Sequence, residues 1–169
     1  MAAQRWRYLA IEGPIGVGKT SLARLLGREL RARLVLEQVE DNPFLPLFYR
    51  EPRRYAFQAQ LFFLLSRARQ LQALAQADLF EQTVIADYTF PKDRIFAALT
   101  LDPAELALYD QVYHLLNLRL PQPDLVLYLQ AETDLLVERV KGRGQPYEQG
   151  IAWDYLDRVN QAYRDVFFH

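Results

Sequence analysis

Tyr8-Leu9-Ala10-Ile11-Glu12-Gly13-Pro14-Ile15-Gly16-Val17-Gly18-Lys19-Thr20-Ser21 is the most informative stretch of this sequence. Tyr8 to Ile11 is a short apolar run suited to a strand, and Ser21 opens a helical pattern that continues to Arg31. Between them, Gly13 to Thr20 fits G-x-x-x-x-G-K-[ST]. Glycines at that spacing let successive backbone N–H groups turn inward around phosphate oxygens, and the following helix aims its positive end at the same point. Lys19 then offers a mobile charge to the β- and γ-phosphates, and Thr20 a hydroxyl to Mg²⁺. The motif specifies a nucleoside triphosphate and leaves the acceptor open.

The rest of the chain repeats the alternation. Leu34-Val35-Leu36, Thr83-Val84-Ile85-Ala86 and Leu125-Val126-Leu127-Tyr128-Leu129 are further non-alternating apolar runs, as expected of strands buried on both faces. Helical patterns run from about Pro52 to Ala77, Lys92 to Leu99, Pro103 to Leu118 and Thr133 to Lys141, and from Trp153 onward. Strands alternating with helices predict βαβ units, hence an α/β fold with a parallel sheet between two helical layers, of the P-loop NTPase type. Four strands are visible. The sequence stops within its last helical pattern at Val166-Phe167-Phe168-His169, and two exposed phenylalanines at an end predict a shortened form of a longer design.

Composition narrows the chemistry. The 169 residues predict a single domain, and 20 Lys+Arg against 21 Asp+Glu exclude the broad basic surface that sequence-independent nucleic-acid binding needs. With no cysteine and two histidines, thiolate metal sites, a Cys nucleophile and a His-rich metal centre are excluded. No apolar run reaches the ~20 residues of a membrane span, and no signal-peptide segment is present, so a cytoplasmic protein without membrane partners is expected. The D-x-x-G and N-K-x-D strings of switch GTPases are missing, and a small-molecule kinase is the economical reading.

The acceptor side is readable on the long helix. At about 100° per residue, Arg67 falls about 20° from Gln60, and both lie inside an arc of Phe57, Leu64, Ala68 and Leu71 on one side and Ala56, Phe63 and Leu74 on the other. A guanidinium there needs a polar partner, either an internal one such as Asp93 or the flat edge of a ligand. Glu37 and Asp87 each follow a strand at its C-terminal end, where open α/β sheets place ligands. They divide into a general base and a metal-linked acid, or serve as caps and ion-pair partners. Arg139, Lys141 and Arg143 form a basic knot at a helix end. Such a segment closes over transferring phosphates or answers the helix dipole.

Taken in order, Gly13 to Thr20, Glu37 to Leu45, Phe57-Gln58-Ala59-Gln60 leading to Leu65-Ser66-Arg67, Asp87 to Ala97, and Glu138 to Ile151 resemble the deoxyribonucleoside kinases, the group acting on deoxycytidine, deoxyguanosine and deoxyadenosine. The resemblance runs from the phosphate loop to about Tyr155. It implies one kinase domain over residues 1–169 with a lid at about 139–148, ATP or another NTP as donor, Mg²⁺, and phosphorylation of a nucleoside 5′-hydroxyl in nucleotide salvage. It implies Glu37 as general base, Tyr49 and Glu148 on the sugar 3′-hydroxyl, Gln60, Arg67 and Asp93 at a purine or cytosine base, and Phe96 stacked on that base. Asp87 would join Thr20 at Mg²⁺. Arg139 and Arg143 would neutralise phosphate charge with Lys19, in a cradle of Gly13, Pro14, Ile15, Gly16, Val17, Gly18, Lys19, Thr20 and Ser21. A homodimer is implied too, with Tyr55, Phe62 and Ala73 as spare apolar positions. A nucleoside monophosphate kinase and a non-catalytic nucleotide-binding module are the alternatives. Three departures stand out. Tyr88 replaces the arginine of the family's E/D-R-S motif, and Gln38 stands where Pro is frequent. The usual fifth strand and base-binding loop lie beyond the point where this sequence stops.

Overall fold

Three strands extend from their predicted places into one parallel sheet around Tyr8–Glu12. The computed structural model describes residues 6–76 and 82–168. In chain order the elements are β1 (Tyr8–Glu12), α1 (Lys19–Glu29), β2 (Arg33–Val35), a 3₁₀ turn (Val39–Asp41), α2 (Leu45–Arg50) and α3 (Pro52–Gln76), then β3 (Val84–Ala86), α4 (Lys92–Thr100), α5 (Pro103–Asn117), β4 (Leu125–Tyr128), α6 (Thr133–Arg143) and α7 (Trp153–Phe168). The sheet order is β2-β3-β1-β4 and every pairing is parallel. Thus β1, which feeds the phosphate loop, lies between β3 and β4, and the crevice beyond its C-terminal end is where such sheets bind ligands.

Period-two geometry explains the layers. Tyr8 and Ala10 of β1, with Val84 and Ala86 of β3, pack under Leu64, Leu71 and Leu74 of α3 and under Tyr109 and Tyr113 of α5. Leu9, Ile11 and Ile85 face the other way, onto Leu22, Ala23 and Leu26 of α1. This is the three-layer αβα arrangement the alternating pattern predicts. No helix among the described residues is long and apolar enough to cross a membrane.

Several expectations are corrected. The first helix begins at Lys19 rather than Ser21, which puts Lys19 and Thr20 in the turn carrying the helix's positive end. The long helix is described to Gln76, so Ala77 lies outside the described residues. Leu125 and Val126 are each 37 % exposed because β4 is an edge strand, not one buried on both faces. Of the two terminal phenylalanines, Phe168 is exposed but Phe167 stacks on Tyr128, with centroids 4.5 Å apart and planes 5° apart. Tyr55 is not spare: it packs with Phe48 and Ala56 where α2 meets α3. The six-residue α2 escaped the sequence reading because it is too short to show a period.

Glycine is required where the loop passes under β4. Gly13 has φ +150°, and a Cβ there would stand 2.6 Å from the Leu129 carbonyl oxygen. Gly18 also has positive φ, +106°, but a Cβ there would meet nothing within 4 Å. G18A should therefore cost only the strain of its dihedral, about 1–2 kcal/mol, whereas G13A should cost clearly more because backbone must move. Urea unfolding of the two variants checks this, and equal losses would show that the clash at Gly13 is relieved without cost.

Candidate active site

A cavity of about 840 Å³ opens at the C-terminal edge of the sheet. Its floor is the phosphate loop from Ile15 to Ser21, and its far wall carries Tyr49, Gln60, Phe63, Arg67 and Phe96. Arg139, Arg143 and Glu148 close a third side. Glu37 lies at the junction, so the two halves read separately from the sequence share one space. Gly13 and Pro14 open the loop without lining the cavity, and Asp87 and Asp93 stand behind the lining as buried supports, 2 % and 1 % exposed.

Two carboxylates at strand ends tie the loop in place. Asp87, just past β3, accepts from Thr20 Oγ1 at 2.5 Å and from the Glu37 N–H at 2.7 Å. One side chain thereby fixes α1 and the segment after β2. Glu12, at the end of β1, is fully buried and accepts from the Gly13 N–H at 3.2 Å, the Thr89 N–H at 2.7 Å and Thr89 Oγ1 at 2.6 Å. Sequence reasoning passed over Glu12; an acidic residue ending an apolar strand directly before a glycine turn was its only signal. Tyr88 is fully buried and donates its hydroxyl to Gln70 Oε1 at 2.7 Å, away from the cavity.

The phosphate-loop side is rich in cations held by carbonyls and a carboxylate. Lys19 Nζ donates to the Gly13 and Pro14 carbonyls at 2.8 and 3.1 Å. Burial, and then the neighbouring Lys92, lower its pKa to about 8 against the raising influence of Glu12, Glu37 and Asp87. Arg139 donates to the Val17 carbonyl at 3.0 Å, bringing α6 onto the loop. Arg143 forks onto Glu148 at 3.0 and 2.7 Å. Beside Glu148, Tyr49 stacks on Tyr147 with centroids 6.2 Å apart, and burial, with the charge on Glu148 adding, pushes its phenol well up.

On the wall facing the loop, Arg67 resolves the question its helical position raised. One guanidinium nitrogen donates to Asp93 and another to Glu37, while the ring of Phe63 lies 4.7 Å away. The internal partner is therefore two carboxylates and not Asp93 alone. Gln60 is buried, lines the cavity, and keeps its amide unpaired among the described residues. Burial would raise the Glu37 carboxyl, but Arg67 and Lys92 outweigh it and hold the group well below the ordinary carboxylate range. Asp93 goes the other way: burial raises it to about 6, opposed by Arg67 and assisted by the charge on Glu37. Lys92 was not anticipated. It is buried, and its Nζ donates to Glu37 Oε2 at 2.6 Å.

Removing the guanidinium alone leaves the buried Asp93 and the part-buried Glu37 short of charge, so R67M should destabilise by about 3–5 kcal/mol. The R67M/D93N double variant should lose less than the sum of the single losses, as urea unfolding will show; strict additivity would mean that the pair is not coupled. Asp93 adds a pH signature. Its neutral form is favoured in the fold, so its contribution to stability is complete below its ordinary 3.8 and is lost as the pH rises through about 6. The stability of wild type relative to D93N should fall by about 1–3 kcal/mol between about pH 4 and pH 6.5. A flat difference would return Asp93 to an ordinary carboxyl.

Comparison with known proteins bears on this geometry. Residues 9–169 match the family model "Deoxynucleoside kinase". The chain is 41% identical over 157 residues to deoxyguanosine kinase of Bacillus subtilis (strain 168), covering 92% of this chain and 76% of that protein. It is 33% identical over 161 residues to deoxyadenosine kinase of Dictyostelium discoideum, covering 94% of this chain and 65% of the relative. Among solved structures, deoxyadenosine kinase from M. mycoides with the products dCMP and a flexible dCDP superposes with a TM-score of 0.85 at 27% identity, over 95% of this chain and 83% of that one. The same enzyme with bound dATP gives a TM-score of 0.82 at 27% identity, with the same coverage. A phosphate loop and a polar wall that share one cavity with Glu37 are thus found on a chain that belongs to the deoxynucleoside kinase family.

Proposed function

We propose that this kinase transfers the γ-phosphoryl group of ATP, or of another NTP, to the 5′-hydroxyl of a deoxynucleoside with a purine or cytosine base, with deoxyguanosine the first candidate and deoxyadenosine and deoxycytidine next. The observation that carries the reading is the position of Glu37, at the junction between the phosphate loop and the wall of Gln60, Arg67 and Phe96 in one cavity. Similarity to the B. subtilis deoxyguanosine kinase supports the order of bases. The product, a nucleoside monophosphate made from a preformed nucleoside, suits a salvage step.

The division of labour follows from the chemistry of each group. Gln60 presents a donor and an acceptor together, which a base edge can pair with, and Phe96 offers a ring face. Tyr49 and Glu148 hold the sugar in this reading, and the Arg143 fork onto Glu148 supports it by fixing that carboxylate. Phosphoryl transfer through a loose transition state demands little of the nucleophile and much of alignment and charge neutralisation. Glu37, though a weak base with two cations on it, therefore suffices to align the hydroxyl and take its proton as the O–P bond forms. Lys19 and Arg139 meet the phosphate oxygens from the loop side, and the N–H groups of the glycine turn and of the start of α1 complete the cradle.

The residues present fit Mg²⁺. Thr20 Oγ1 and Asp87 Oδ2, 2.5 Å apart, are oxygen donors beside the loop, and Mg²⁺ characteristically takes one or two protein oxygens and fills its other positions with phosphate and water. Bound there, it neutralises charge on the β- and γ-phosphates.

The test is a phosphoryl-transfer assay with Mg-ATP against the four deoxynucleosides and their 5′-monophosphates. Turnover of deoxyguanosine in preference to the others is expected, and turnover of monophosphates alone would transfer the acceptor site to the monophosphate kinase reading. In the same assay E37Q should lower kcat by about 100- to 1,000-fold with nucleoside KM changed only a few-fold. An unchanged kcat would remove Glu37 from the base role.

A further inference from the structure

We propose that Lys92 is a catalytic residue, its ammonium being the cation on the acceptor side of the transfer, between Glu37 and the oxygen that is phosphorylated. The inference rests on the phosphoryl-transfer reading above and adds a residue that no motif of the sequence marked.

Lys92 is one of three lysines in a chain whose other basic residues are arginines, and it opens α4 directly after Pro91. It is 6 % exposed, and what exposure it has is to the cavity, which it lines together with Glu37. An ammonium has three N–H donors. Glu37 Oε2 takes one at 2.6 Å, and no other described group accepts the remaining two. A hydroxyl donating to the Glu37 carboxylate must lie within one hydrogen-bond length of it, so its oxygen falls within reach of the same Nζ.

A purely structural reading would have Lys92 balance the charge of the buried cluster. The placement speaks against it. Asp93 Oδ2 is buried with no partner, and a lysine serving only the cluster would be worth most there. Lys92 stands instead on the cavity side of Glu37, whose other oxygen Arg67 already holds. Nor does the neighbouring segment supply another cation: Tyr88 is fully buried and bonded to Gln70. Lys19 lines the same cavity. Two ammonium groups facing one space repel each other until an anion lies between them, and a γ-phosphoryl group approaching an acceptor oxygen is such an anion.

The step balances without a further reactant. The acceptor O–H breaks and its proton passes to Glu37. The acceptor oxygen bonds to the γ-phosphorus, and the bond from that phosphorus to the bridging oxygen breaks, its electron pair leaving on the nucleoside diphosphate. Lys92 stays protonated throughout, donating to the oxygen that is losing its proton and to the phosphoryl oxygens beside it.

Three variants test this. K92M keeps the aliphatic reach of the side chain up to Cε without the charge and should lower kcat about 100-fold or more, with nucleoside KM within about threefold, because the lost interaction strengthens in the transition state. K92R should keep about a tenth or more of kcat, since charge is what the site needs. The chain contains no cysteine, so K92C provides a unique thiol. Alkylation with 2-bromoethylamine rebuilds an ammonium of lysine's length, and kcat should rise about tenfold or more over the unmodified variant. Melting temperature is followed in parallel. A folded K92M with kcat within threefold of wild type would overturn the proposal, as would alkylated K92C that regains its melting temperature without regaining kcat. Should K92M not fold, the K92C pair decides. Failure of the nucleoside reading shows separately, as a wild type that turns over only monophosphates; the ratio of K92M to wild type with that acceptor then judges the lysine.

Discussion

The Arg67 guanidinium between Asp93 and Glu37 is the interaction on which the wall facing the phosphate loop depends. It joins three parts of the chain: α3, which carries Arg67; α4, which carries Asp93; and the segment after β2, which carries Glu37. A buried ion cluster is poor evidence for stability, because desolvation consumes much of what Coulomb attraction returns. It is better evidence for geometry. Each carboxylate has a restricted set of places where its charge is tolerated, so Glu37 is held where the phosphate loop and the acceptor wall meet. The opposite displacements of the two carboxyls follow from this: Glu37 has two cations on it and is held down, whereas Asp93 shares one and is raised by burial.

A second set of carboxylates does the same for the donor half with neutral donors. Asp87 holds Thr20 and the backbone of Glu37, and Glu12 holds Gly13 and Thr89. Both stand at the C-terminal ends of adjacent strands, so the register of β1 with β3, in which Ala10 pairs with Ala86, sets the spacing of the whole site. Glu37 touches both systems, through its side chain to Arg67 and Lys92 and through its N–H to Asp87. A shift in either half reaches the other through that one residue.

Much of this was legible because two strong local codes are present. The phosphate loop is a contiguous string with a fixed mechanical meaning, and its neighbours alternate between strand and helix with clear periods. Gln60 and Arg67 were legible for a different reason: helical geometry put two polar groups in an apolar arc, where an unpaired charge is too costly to stand without a partner. Lys92 was not legible. At the start of a helix, after a proline, a lysine normally points into water, and nothing local distinguishes one that folds back onto a strand-end glutamate. Glu12 failed for a similar cause, since its partner Thr89 is 77 residues away. The exposure of Leu125 and Val126 was misread because a run of apolar residues does not say whether its strand is central or at an edge.

By itself the sequence determined the α/β class, the phosphate-loop motif and the presence of Gln60 and Arg67 in an apolar arc, because those depend on spacing along a strand, a turn or a single helix. Tyr49, Phe96 and Glu148 were marked only by the family resemblance. Only the tertiary structure decided the pairings: which carboxylate answers Arg67, that Asp87 braces Thr20, that Arg143 meets Glu148, and that an unmarked lysine reaches Glu37. The physical reason is that a charge inside a folded chain is satisfied by whatever opposite charge packing brings near it. That choice is made by contacts between elements far apart in sequence, where local pattern carries no information.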